Sequence, residues 1–380
     1  MRILYVFIAL FGLFIALGAY LIEPLLPLYL VFYRDLRLFY EIPMLSFVFF
    51  VSSSIARIFL AIKPGFARIL MVISIIMLPL SILMYVLVDE KSVFIVRIIH
   101  GFSLSVLVTS MWINLLEGID DLTVLRRCIG VYNAFLGLST AITFILSYMI
   151  VLEHGFNYVF MIAISLCIVS FIFMVALYLN HGLIAHDTKS GLNSGGNVLA
   201  SYLVFVIMST VFIKNLGYGI VKPYFPTYIV LFFNHVILAW SVFVYAGISY
   251  VIGSMASPLI LGRIKNTLPL LLLSLLGVCI GSLIYAQAST PEEFIVASII
   301  TTFNSAMYKV GYISCLSGMV SREARILVVI ISLSLASLGT AIGSILSIYV
   351  GDMRLSFLLY STLTLACVLV LLLVMIRKWR

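Results

Sequence analysis

Charge is the scarcest feature of this sequence: 14 acidic and 22 basic residues make up only 9% of 380, where a soluble domain carries roughly 25%. A water-soluble fold is thereby excluded, because a chain that is 64% apolar has too little polar surface to face water. Only five cysteines occur (Cys128, Cys167, Cys279, Cys315 and Cys367), none in a CxxC pair and each in or beside an apolar run. They read as core residues, with neither a disulfide framework nor a thiolate metal site. Despite the net charge of +8 there is no run of five basic residues, so no nucleic-acid partner is expected. There is also no P-loop, no H-E-x-x-H and no nucleophile elbow, which argues against an enzyme and against a cofactor or bound metal. His181 and His186 are too isolated in a polar stretch to change that.

What the sequence does have is apolar runs. A bilayer takes about 20 apolar residues per helix, and charged or Gly/Pro-rich breaks divide the chain into twelve such runs. They lie at 3–30, 43–62, 69–88, 93–116, 129–151, 156–178, 198–230, 237–261, 268–287, 293–317, 325–349 and 355–376. The opening run has no small-residue cleavage site and continues past Gly18, so it is taken as the first span and not as a leader. The expected fold class is therefore an all-α polytopic membrane protein with the lipid bilayer as its surroundings. The one long polar interval, HGLIAHDTKSGLNSGGN, suggests a cytoplasmic linker at 179–197 between six-helix bundles at 1–178 and 198–380. With both termini inside, inner loops and tails hold thirteen Lys and Arg residues and outer loops hold four. That bias predicts a multi-pass protein of the cell membrane with both termini cytoplasmic.

The two halves repeat. Span 1 contains LGAYLIEPLLPLYLV from Leu17 and span 7 contains LGYGIVKPYFPTYIV from Leu216. At an offset of 199, Leu17, Gly18, Pro24, Pro27, Tyr29 and Val31 recur as Leu216, Gly217, Pro223, Pro226, Tyr228 and Val230. Spans 5 and 11 match at an offset of 200, GLSTAITFILSYMI against SLGTAIGSILSIYV. Six spans separate the copies, so the repeats are parallel.

Twelve spans in two parallel six-span repeats with a polar middle loop resemble the major facilitator superfamily over essentially the whole chain. In span 4, RIIHGFSLS resembles that family's R-x-x-x-G pattern through Arg97 and Gly101. The loop AIKPGFAR between spans 2 and 3 departs from the family pattern, with Ile62 in place of the usual acid. Span 5 also lacks the Gly-Pro signature of antiporters. The resemblance implies a secondary active transporter of a small-molecule substrate working by alternating access. The two departures count against the alternative of a proton-coupled drug exporter. A non-transporting sensor or assembly partner on the same fold is the alternative of another class.

Candidate pathway residues follow from the cost of ionised groups inside a span, at least about 2.5–3.5 kcal/mol at the bilayer centre. Glu23 is the one acid well inside a span, and its repeat-mate is Lys222. The pseudosymmetry puts this pair where opposite charges could meet across the two halves. Lys214, Tyr218 and Lys222 recur every four residues along span 7, with Lys214 near mid-membrane as the first choice for a substrate contact. Arg97 and His100 lie a turn apart in span 4, and His100 is a candidate for a coupling proton. Lys309 shares a face of span 10 with Thr302 and Ser305. Arg57, only six residues from Lys63, is expected to snorkel to the inner surface. Pro24, Pro27, Pro223 and Pro226 should bend spans 1 and 7 into a pair of gating helices. The excess of cations favours an anionic or polar organic metabolite; a monomer and a coupling proton are the further expectations.

Overall fold

The computed structural model describes residues 2–181 and 202–379, apart from 24, 35, 38–39, 234–235 and 265–266. Inside a bilayer no water is available to pair main-chain N–H and C=O groups, so a spanning chain pairs them within helices. Among the described residues there are twelve, and no strand. They are α1 (Arg2–Ile22 and Leu26–Arg34), α2 (Glu41–Ile62), α3 (Ala67–Leu87), α4 (Val93–Gly118), α5 (Leu122–His154) and α6 (Phe156–His181), followed by α7 (Tyr202–Val221 and Phe225–Phe233), α8 (Val236–Leu261), α9 (Leu268–Gln287), α10 (Pro291–Met319), α11 (Arg322–Val350) and α12 (Met353–Trp379). Eleven of these are long and apolar enough to cross a membrane by length and composition. The twelfth, α10, is as long as α11 but more polar, carrying Glu292 and Glu293 in its first turn and Lys309 further on.

The polarity of the helices is inside out. On α3 the residues Ile69, Ile73, Ile76, Leu80, Leu83 and Leu87 are all exposed, while Ser74 and Ser81 are buried. This spacing is one helical stripe, and it turns apolar side chains outward where lipid would lie.

Spans 1 and 7 are broken outright where a bend was expected. Leu25 N donates to Ile22 O at 3.1 Å and Tyr29 N to Leu25 O at 2.7 Å. At the repeat offset, Tyr224 N donates to Val221 O at 3.3 Å and Tyr228 N to Tyr224 O at 2.8 Å. The sequence repeat is thus reproduced hydrogen bond by hydrogen bond. Pro27 and Pro226 take the second position of the new segment, where a missing N–H leaves no gap because the first turn has no acceptor for it. Pro24 lies outside the described residues, as does most of the polar interval. α6 continues to His181, and 182–201 are not described.

Packing follows the same repeat. α1 lies against α5 and α6, α4 against α2 and α3, and α3 against α6. Adding six to each label gives the contacts of α7 with α11 and α12, α10 with α8 and α9, and α9 with α12, all of which occur. The halves join chiefly through α5 with α8 and α2 with α11. Small residues permit the closest of these approaches: a methyl added at Gly247 would lie 2.6 Å from the Ala141 side chain across the α5–α8 contact. The halves are also locked at one end of the bundle. There Arg322 forms an ion pair with Asp120 and donates to Glu117 O at 2.7 Å, and Arg325 donates to Ile119 O at 3.1 Å.

Candidate functional site

A cavity of about 490 Å³ lies between the two halves and is walled by residues of α1, α2, α4 and α5 on one side and of α7, α8, α9, α10 and α12 on the other. Its charged lining is Arg57, Arg97, Lys222 and Lys309 against Glu23, the sole acid lining it among the described residues.

Glu23 sits at the α1 break, and its carboxylate faces Arg97 on α4 in a two-pronged pair: Nη1 to Oε1 at 2.9 Å and Nη2 to Oε2 at 3.3 Å. This geometry fits the guanidinium fork to a carboxylate, the strongest neutralising arrangement the two side chains have. The Arg97 guanidinium also lies 4.1 Å from the centre of the Phe49 ring, a cation–π contact that strengthens as water is removed. Behind it Tyr85 Oη is 3.5 Å from Arg97 Nη1 and 3.1 Å from His100 Nδ1. Arg97, Tyr85 and His100 are buried, so the pair is backed by a polar cluster within one half.

The expected pairing of Glu23 with Lys222 is therefore replaced by one with Arg97. Both Glu23 and Lys222 line the cavity, but the Lys222 ammonium rests over the Phe50 ring, 4.2 Å from its centre. Arg97 approaches Glu23 from α4 with both guanidinium prongs, while the Lys222 ammonium, reaching over from the other half, settles on the Phe50 ring.

Arg57 is the second correction. Its guanidinium turns away from the inner surface and crosses to α11, donating to Leu333 O at 2.8 Å and to the Ser337 hydroxyl. Three residues earlier, Ser54 Oγ and Ser334 Oγ lie 2.6 Å apart, and Ser334 Oγ also bonds Ser54 O at 3.0 Å. Snorkelling loses to this because a main-chain carbonyl and a hydroxyl on α11 stand within reach and Arg57 Nη1 bonds both.

Of the remaining candidates, Tyr218, Lys309, Pro27, Pro223 and Pro226 line the cavity, and Lys214 and His100 do not. Lys214 is buried, with its ammonium 5.6 Å from the centre of the Tyr218 ring. His100 is fully buried with no partner at Nε2. The wall that sequence reasoning left unremarked is aromatic. Phe144 and Phe243 stack at 4.1 Å across the α5–α8 contact, and Phe225 meets Phe243, Tyr285 and Phe357 edge-on. With 13% aromatic residues throughout, nothing in the sequence singled these out.

No protein-family profile and no curated protein matches the chain. Solved structures do. The human organic anion transporter MFSD10 (TETRAN) is 14% identical with a TM-score of 0.73, over 97% of this chain and 99% of that one. The nucleoside transporter NupG is 14% identical with a TM-score of 0.70 over 97% and 99%. The proton:xylose symporter XylE, bound to 6-bromo-6-deoxy-D-glucose, is 15% identical with a TM-score of 0.72 over 96% and 94%. The chain has the major facilitator fold: a multi-pass membrane protein whose described residues form twelve helices in two parallel six-helix repeats.

Proposed function

We propose that this protein is a secondary active transporter that moves a small anionic organic solute across the cell membrane by alternating access. One observation carries the reading. Arg57, Lys222 and Lys309 line a cavity between the halves whose one acid among the described residues, Glu23, is already engaged by Arg97. Cations held in a site of low dielectric offset the cost of taking an anion out of water and repel a cationic solute. The aromatic walls suit an apolar body on that anion. The transporters that share the fold lend support to the reading in general, and the substrate class rests on this chain's own cavity.

In this reading residues 1–178 and 198–380 move as two bundles joined by the linker at 179–197, with both termini in the cytoplasm. The end of the bundle held shut by Arg322 and Arg325 is then the cytoplasmic one. Both walls of the cavity come from one chain, so a monomer suffices. Glu23 is the carboxylate through which a coupling proton would act, since protonation would release Arg97.

Binding to the native state raises apparent stability, which gives a direct test. Purified protein in detergent is melted with matched organic anions, neutral analogues and cations. Stabilisation confined to anions, and lost in Arg57→Gln with Lys309→Gln, is expected. Equal stabilisation by neutral analogues would refute the anionic class.

A further inference from the structure

Where the cations stand says how many anionic groups the solute carries, and this inference rests on the anionic reading above. Arg57 and Lys309 come from opposite halves and both line the cavity. No carboxylate forms an ion pair with either among the described residues. Two cations from opposite halves in one cavity, neither paired with a carboxylate, are an arrangement that an anion would stabilise.

Lys222 belongs to a second pole. Its ammonium lies 4.2 Å from the centre of the Phe50 ring, and Phe50 precedes Arg57 by seven residues on α2, about 10 Å along the helix axis. Arg97 adds nothing free to this pole, because both of its terminal nitrogens bond the Glu23 carboxylate. The cavity lining also includes the rings of Tyr20, Tyr218 and Tyr250, which offer an apolar surface to a hydrocarbon or aromatic body.

We propose that the cavity takes an organic dianion, one anionic group held by Arg57 and Lys309 and the other by Lys222, with an apolar body lying along the tyrosines. The poles differ in strength, two cations against one, so the solute has a preferred direction in the site. The Arg57 and Lys309 pole joins α2 to α10 and so bridges the halves. The anionic group held there couples occupancy to how the halves sit together.

The test uses straight-chain dicarboxylates from succinate to dodecanedioate, each beside its monomethyl ester, binding to the purified full-length protein. One or more of the longer diacids should bind at least about tenfold more tightly than its ester, a difference of about 1.4 kcal/mol. Lys222→Gln should reduce that diacid to the affinity of the ester and leave the ester unchanged. Arg57→Gln or Lys309→Gln should weaken both. The melting temperature of each variant without ligand serves as the folding control. If diacid and ester bind alike, or Lys222→Gln weakens both equally, the dianion proposal is overturned while the anionic reading stands. If no diacid of any length binds, the dianion proposal is overturned too, and the melting panel decides the anionic reading separately.

Discussion

At the scale of single residues, the Glu23–Arg97 pair sets the electrostatics of the cavity. Both side chains are largely withdrawn from water, at 17% and 6% relative exposure. For a buried pair, removing one partner strands the other and typically costs about 3–5 kcal/mol, whereas removing both costs less. Glu23→Gln and Arg97→Gln should therefore each lower the melting temperature more than the double change does. Strict additivity would mean that the two residues do not depend on each other. These residues were visible in the sequence as charges within spans, but their partners were not. An offset within a repeat says which positions are equivalent, and says nothing of which neighbouring helix stands nearer. Lys214 shows the same limit. Each four-residue step turns the helix by about 40°, so Lys214 is rotated roughly 80° from Lys222, enough to leave the cavity while Lys222 enters it.

At the scale of helices, the proline breaks, the span boundaries and the repeat could all be read from the sequence, because each depends on local chemistry: a missing donor, a charge, an apolar run. α5 was the least legible boundary. It begins at Leu122, seven residues before the expected start at 129, because Arg126, Arg127 and Thr123 look like loop residues. Asp121 starts the helix, accepting from Thr123 N at 2.6 Å and Val124 N at 3.2 Å. These main-chain donors, Val124 first, hold its carboxyl below the ordinary Asp range. A carboxylate with a lowered value contributes its stability above the unfolded value near about 4 and loses it as pH falls through the folded one. Asp121→Ala should thus melt earlier than the native protein at neutral pH, with the gap closing below about pH 4. Asp121→Asn, which can still cap, should show a much smaller gap at neutral pH. A gap that is the same at every pH would rule out this capping role.

At the scale of the whole molecule, the fold follows from a scarcity of charge and a repeat of prolines, both plain in the sequence, and the cavity is what remains between two copies of one bundle. The site was legible as a set of cations in spans and illegible as an arrangement. Arg57 was read as a surface residue because its distance to the membrane edge is set by sequence, and its reach to Leu333 and Ser337 is set by how α2 meets α11. That contact is also where the proposed movement of the halves can be arrested, since Ser54 Oγ and Ser334 Oγ lie 2.6 Å apart across the halves. The most direct measurement is uptake into liposomes carrying Ser54→Cys with Ser334→Cys, comparing an organic anion with a neutral analogue of the same carbon skeleton. The anion should enter and the neutral analogue should not. Oxidation to the cross-linked disulfide should stop uptake, a reductant should restore it, and the native protein should be indifferent to both treatments. Equal entry of the neutral analogue, or undiminished uptake through the cross-linked protein, would contradict transport of an anion by movement of the two halves.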